Sequence, residues 1–350
     1  MAKNHSEKQT NILSKNSFLN MYVFQNPNKK NLRTQESEEF CDCLIHMGGK
    51  DVVIQIKQND KSNSKNWFNR KVLGDARRQL TNSIDAIISS DFEIWDRRNK
   101  HLISKCSQIP SNISPVVVFE KKDSISYQQV ALSEKINGKD YICCNIFSID
   151  DFKYATSMIP TGFDFINYLN FRFNRLKNLK PGIQLYPLFY IAPSFFKVNA
   201  STNEEILVAE FLSQISININ EIIKNAKMWH KNLCGFEIEK CDSLFLQLMS
   251  YLKISDILKW DDQYKELIKK SKEQAIVWFS EPILIISVKD KKYGVCMSYF
   301  PAKNPSSNIT DLEIQADARI AIKKYNLEYN FIFQYSNGDK VRLVKIPKQA

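Results

Sequence analysis

The sequence predicts a mixed α/β (α+β) chain in two regions, residues 1–155 and 160–350, on three observations. Between Glu38 and Gln58, two short apolar runs flank Gly48-Gly49, which is a hairpin signal. From about Trp67 to Ser90, Val72, Ala76, Leu80, Ile84 and Ile87 recur at helical spacing. Near the C-terminus, two further pairs of strand-like runs turn at Asp290–Lys292 and at Asn337–Gly338, with the helical stretch "DLEIQADARIAIKKY" between them.

The elements follow in order. Ser6 to Asn20 reads as a helix, with Ser6 as its cap and Ile12, Leu13, Phe18 and Leu19 as its apolar stripe. "QNPNKKNLRTQES" reads as a polar, basic loop, and "NDKSNSKN" as a second one after the hairpin. Pro115–Glu120 and Tyr141–Ile146 are short buried strands. The first region therefore reads helix, hairpin, helix, strand, strand. The boundary falls near "SMIPTGFDFINYL". Beyond it, Phe163–Asn174 reads as an amphipathic helix, Glu204–His230 as a long one, and Asp242–Glu273 as mostly helical. The many aromatics here, among them Phe165, Tyr168, Tyr186 and Phe196, read as core. This region is left with substrate recognition, oligomerisation or partner binding as its roles.

Composition narrows the function. Across 350 residues, 43% are hydrophobic and 25% charged, which suits a globular protein. The net charge of +11 favours a polyanionic partner such as nucleic acid or a membrane surface. No apolar run approaches the roughly 18 residues of a membrane span, so no membrane partner is expected. The eight cysteines include no C-x-x-C, and the N-terminus has no apolar signal region, so a reducing cytoplasm is expected. The four histidines form no spaced metal pair.

The hairpin carries the chemistry. Side chains alternate along a strand, so register decides which ones meet. A two-residue turn at Gly48-Gly49 pairs Met47 with Lys50 and sets Asp42 opposite Gln55; a four-residue loop sets Asp42 opposite Lys57. Either even-length loop gathers Asp42, Gln55 and Lys57 on one face and leaves Val52, Ile54 and Ile56 as an apolar face that can pack under a helix. A carboxylate beside an amide oxygen offers two hard ligands for Mg²⁺. The lysine can orient a water or stabilise charge on a phosphate. The bland alternative is a cross-strand ion pair of Asp42 and Lys57, with Gln55 as filler.

Asp42 followed by Gln55-Ile56-Lys57 resembles the PD-(D/E)xK nuclease superfamily, in its QxK variant as in Mrr-type enzymes. The resemblance implies a restriction-endonuclease-like αβββαβ core at the N-terminus and a Mg²⁺-dependent endonuclease, with Mn²⁺ able to substitute. It implies Asp42 and Gln55 as metal ligands, Lys57 as the residue acting on the water or the transition state, and DNA rather than RNA as substrate. Restriction, or defence against foreign DNA, would be the setting. The opening "EEFCD" is also similar to an "ELCD" opening of bacterial proteins, which implies Glu39 as a further acidic residue. Strict alternation puts Glu39 on the wrong face unless the strand begins at about Cys41. Glu7 is the candidate for the acid this fold often carries in its first helix. The chain departs from the pattern at Cys41, where a proline is usual, and at Gln55, where a carboxylate is usual. The second departure removes a negative charge and weakens the metal site.

A basic stretch follows the candidate catalytic strand. Lys61, Lys65, Arg70, Lys71, Arg77 and Arg78 are the candidate nucleic-acid contacts, with Trp67 and Phe68 interleaved. Arg70 and Arg77 are seven residues apart and share a helix face, and Gln79 is placed to join them. Lys29, Lys30 and Arg33 form a second patch. Two other readings stand beside the nuclease: a degenerate nuclease-fold module that binds without cutting, and a non-enzymatic interaction protein. A homodimer or a partner subunit is compatible with each.

Overall fold

The computed structural model describes residues 5–17, 22–47, 50–59, 66–89, 91–97, 102–105, 113–121, 131–136, 140–159 and 161–176, and then residues 251–253, 256, 259–260, 262–266, 269, 278–280, 282, 284–288, 290–300, 307–336 and 342–348. Lys61, Lys65, the Gly48-Gly49 and Asn337-Gly338 turns, the predicted helix Glu204–His230, and Tyr186 and Phe196 lie outside them. The chain is mixed α and β and divides into two compact units, Met1–Ile223 and Lys224–Ala350. Among the described residues, no helix is long and apolar enough to cross a membrane.

The first unit opens with α1 (His5–Ser17) and continues with β1 (Val23–Gln25), β2 (Asn28–Asn31), β3 (Ser37–Glu39), β4 (Cys43–Met47) and β5 (Lys50–Asn59). A helix follows, π-helical over Phe68–Ala76 and α-helical as α2 over Arg77–Ile88. Then come β6 (Phe92–Trp95), β7 (Leu102–Lys105), β8 (Ile113–Lys121), β9 (Ala131–Ile136), β10 (Asp140–Ser148), α3 (Ile149–Met158) and α4 (Gly162–Leu176). The main sheet has the order β1-β4-β5-β8-β10-β9. β5 runs antiparallel to β4 and parallel to β8.

Both faces of β5 are covered, which explains its unbroken apolar centre: Val52, Val53 and Ile54 are fully buried. The long helix packs on the face of Leu44, Val53 and Val117 through Val72, Ala76, Leu80, Ile84 and Ile87. Each buried Val, Leu or Ile side chain among them contributes roughly 1.5–3 kcal/mol. On the other face, α1 meets β5 where the Ser6 amide donates to Gln58 Oε1 at 3.3 Å. Arg172 of α4 is buried, spreads over the Phe147 ring and donates to the Ile146 carbonyl at 2.8 Å, which ties α4 to β10.

Two expectations are corrected here. α1 turns a polar side inward: Ser6, Glu7, Thr10, Asn11 and Ser14 are buried, while Ile12 of the predicted apolar stripe is exposed. Ser6 lies inside the helix instead of capping it, and its hydroxyl donates to Glu120. The helix docks on sheet-edge polar groups, with Asn11 Nδ2 donating to Gln25 Oε1 at 3.2 Å. The stretch read as a basic loop holds β2, which pairs with β3 and β6 in a second sheet of order β3-β2-β6-β7. Its turn forms because Asn31 Oδ1 accepts the amides of Arg33 and Thr34 at 2.8 and 3.1 Å. The partnership with β6 is long-range, so the local sequence does not show it.

The second unit contains β11 (Trp278–Phe279), β12 (Leu284–Val288), β13 (Lys291–Phe300), α5 (Ser307–Tyr325), β14 (Tyr329–Ser336) and β15 (Arg342–Pro347). β11 and β12 both pair antiparallel with β13, and β14 lies parallel on its other side. The first C-terminal hairpin pairs Val288 with Lys291, so it reverses one residue earlier than predicted, and Asp290 has φ 64°. A core of Cys296, Ala318, Ile322, Leu327 and Ile332 joins α5 to the sheet.

Candidate active site

The hairpin register is that of the two-residue turn: Met47 pairs with Lys50 and Cys43 with Ile54. One step further, Asp42 comes opposite Gln55. The paired strand stops at Cys43, however, and Asp42 sits in a bend just before it. Its carboxylate takes over the strand's role: Oδ2 accepts the Ile56 amide at 2.7 Å. The side chain is thereby fixed beside Gln55 and Lys57 at the open end of the hairpin.

Asp42, Gln55 and Lys57 line a cleft of about 700 Å³. Asp42 and Gln55 are buried, at 8% and 5% exposure, and form a polar floor to the cleft. Lys57 Nζ donates to Gln79 Oε1 at 2.5 Å, which aims the amine across the cleft. Glu39 and Glu7 line the same cleft. Glu39 is not on the hairpin strand; it ends β3, so alternation along the hairpin does not govern where it points. Glu7 reaches the cleft from α1.

Electrostatics follow from burial. Asp42 is pushed up to about 6 by burial and by the charges of Glu7 and Glu39, against the Ile56 hydrogen bond and the Lys57 charge. Lys57 is held below its ordinary value by burial and by Lys71, against the pull of Asp42, Asp75 and Glu7. The two thiols flanking Asp42 are inert: burial pushes Cys43 up to about 12 and Cys41 well up.

The helix gives the cleft its other wall. Lys71, Asp75, Arg78, Gln79 and Asn82 face it, while Arg70 and Arg77 are exposed and not among the lining residues. Arg70 and Arg77 do share a face, as their spacing predicts, but it is the exposed one; Lys71 and Arg78, also seven residues apart, share the cleft face. Asp75 binds Lys71 at 2.6 Å and has Arg78 at 3.9 Å, and the Lys71 bond holds Asp75 below its ordinary value. The sequence did not single out Asp75, Asn82 or Glu38. Glu38 pairs with Lys29 at 2.9 Å on the cleft rim. The spacing of Lys71, Asp75 and Asn82 along one helix edge was their available signal. Arg33 of the second basic patch pairs with Asp91 at 2.9 Å.

The donor set suits a hard cation. Among the described residues no three His, Cys, Asp or Glu side chains converge into a metal centre. What the cleft offers is one carboxylate and one amide, with two further carboxylates acting on Asp42 through space. Mg²⁺ takes few protein ligands and keeps several waters, so this set fits it. Asp42 Oδ2 is engaged by Ile56, which leaves Oδ1 for a cation.

Comparison of the chain with protein-family models, curated proteins and solved structures gave no match.

Proposed function

We propose that this chain is a metal-dependent nuclease that hydrolyses phosphodiester bonds, with double-stranded DNA as its first substrate. The observation that carries the reading is the meeting of Asp42, Gln55 and Lys57 in one cleft, with Glu7 and Glu39 beside them. Supporting it, α1, β1, β4, β5, the long helix and β8 follow the αβββαβ order of the restriction-endonuclease-like core, with β2–β3 and β6–β7 as insertions.

Mg²⁺, when bound, would polarise a phosphoryl oxygen and lower the pKa of a bound water. Asp42 and Gln55 would hold it. Glu39 and Glu7 add negative charge behind those ligands. Lys57, oriented by Gln79, places its ammonium group where it orients the attacking water or meets charge developing on the phosphate. Lys71 and Arg78 on the facing helix grip the backbone, exchanging Asp75 for phosphate. The burial of Asp42 and Gln55 keeps bulk water from screening these interactions.

The test is a cleavage assay on linear and circular duplex DNA, single-stranded DNA and RNA, with Mg²⁺, Mn²⁺ or EDTA. Metal-dependent products that vanish in Asp42→Ala are expected. A second reading, a binding module that grips nucleic acid without cutting, is favoured by one observation: the neutral Gln55 stands where a second carboxylate would strengthen the metal site. Salt-sensitive binding with no metal-dependent product would establish it instead.

A further inference from the structure

The second unit repeats the architecture that builds the cleft. In the first unit a five-residue strand (β4) turns through two residues into a ten-residue strand (β5), a helix crosses over, and β8 returns parallel to β5. In the second unit the five-residue β12 turns through two residues into the ten-residue β13, α5 crosses over, and β14 returns parallel to β13. Counted from the first residue after each turn, Gln55 corresponds to Cys296 and Lys57 to Ser298. The correspondence holds in three dimensions within each unit. Gln55 and Lys57 share the strand face of Val53, which packs under the first unit's helix, and Cys296 packs with Ala318 and Ile322 of α5.

None of the site chemistry is kept. Asp42 corresponds in sequence to Ile283. Cys296 is fully buried, with its thiol 3.1 Å from Asn330 Oδ1. Ser298 is fully buried as well. The opening is also closed: where Asp42 bends away and leaves a cleft beside Gln55 and Lys57, the second unit runs β11 along β13, pairing Phe279 with Ser298. Phe279 packs against the core there.

We infer that the repeated motif in the second unit is a sealed, catalytically blank copy, so that among the described residues there is one cutting centre, and the chain breaks one strand of a duplex per encounter. The inference rests on the nuclease reading above. In the step itself a water oxygen bonds to phosphorus, and one P–O ester bond breaks. The electron pair leaves on the sugar oxygen, which takes up a proton, while the water gives one up. The product is a nick with a phosphate on one end and a hydroxyl on the other. Cutting both strands then needs a second encounter or a second copy of the chain.

The experiment uses the full chain and supercoiled closed-circular DNA with Mg²⁺, at concentrations where light scattering shows a monomer. Nicked circles should be the first and dominant product, with linear DNA appearing only later, and Asp42→Asn should make neither. Linear DNA formed from the outset alongside nicked circles would overturn the inference while leaving the nuclease standing. So would cleavage that survives Asp42→Asn and is lost in Cys296→Ala/Ser298→Ala. If the wild-type chain makes no product at all, the nuclease reading falls and the inference falls with it.

Discussion

Asp42 accepts the backbone amide of Ile56 at 2.7 Å, from a bend where its own strand has already ended. This one contact makes the site. It satisfies the edge of β5, so the hairpin can open without leaving a buried amide unpaired. It also places a buried carboxylate between Gln55 and Lys57. An Asp42→Ala change loses both roles and should lower stability as well as activity. Asp42→Asn keeps a carbonyl acceptor for Ile56, so it should keep most of the stability while losing cleavage. Thermal unfolding beside activity separates the two.

Lys57→Ala should reduce cleavage by about 10³-fold, the scale of losing a charge-stabilising group at a transition state. Stability should hold, because burial holds the Lys57 pKa below its ordinary value, so the charged amine is not a net stabilising group in the fold. Single-turnover rates and unfolding midpoints check both parts.

Gln79→Leu should slow cleavage by roughly tenfold through loss of Lys57 orientation, within the range typical for a misplaced group. The effect should fall on kcat with KM little changed. A Gln79→Glu variant, which still accepts from Lys57 Nζ, should recover part of the rate and raise the Lys57 pKa.

Activity should rise with pH through about 6 when metal is limiting, because Asp42 must ionise to bind a cation and its value is raised to about 6. Saturating Mg²⁺ should move this acid limb to lower pH. The stability sign is the opposite. A carboxyl raised from 3.8 to about 6 in the folded state favours folding at low pH, and that contribution is lost as pH rises from about 4 to 6. A pH series of unfolding midpoints without metal should show the loss, and Asp42→Asn should flatten it.

At the far end of the hairpin, His46 Nδ1 lies 2.6 Å from the fully buried Asp51. Burial, the largest single influence, lowers the His46 pKa, and the Asp51 hydrogen bond and charge together outweigh it and raise it overall. The pair therefore stabilises the fold fully below the ordinary histidine value and loses that contribution as pH rises through the raised one. His46→Ala should cost about 3 kcal/mol or more near pH 6, since it strands a buried carboxylate. Denaturant unfolding at pH 6 and 9 reads the difference.

Much of the site was legible because a hairpin has only two parities. Any even-length turn puts Asp42, Gln55 and Lys57 on one face, and the observed two-residue connection is one of them. Val72, Ala76, Leu80, Ile84 and Ile87 declared the covering helix in the same way. What stayed hidden depends on distant partners. Glu39 reaches the cleft because β3 leaves the hairpin for β2, and β2 is held by β6 more than sixty residues away. The cleft-facing choice of Lys71 and Arg78 over Arg70 and Arg77 depends on how the helix is rotated on the sheet, which a spacing of seven, shared by both pairs, does not decide. The inward polar side of α1 defeats a search for apolar stripes outright.

The measurement that bears most directly on the central claim is cleavage by the purified chain with Mg²⁺ or EDTA, beside an Asp42→Ala/Lys57→Ala double variant. DNA products that need the metal and disappear in the variant are expected. Products that persist in the variant, or that ignore EDTA, would contradict it.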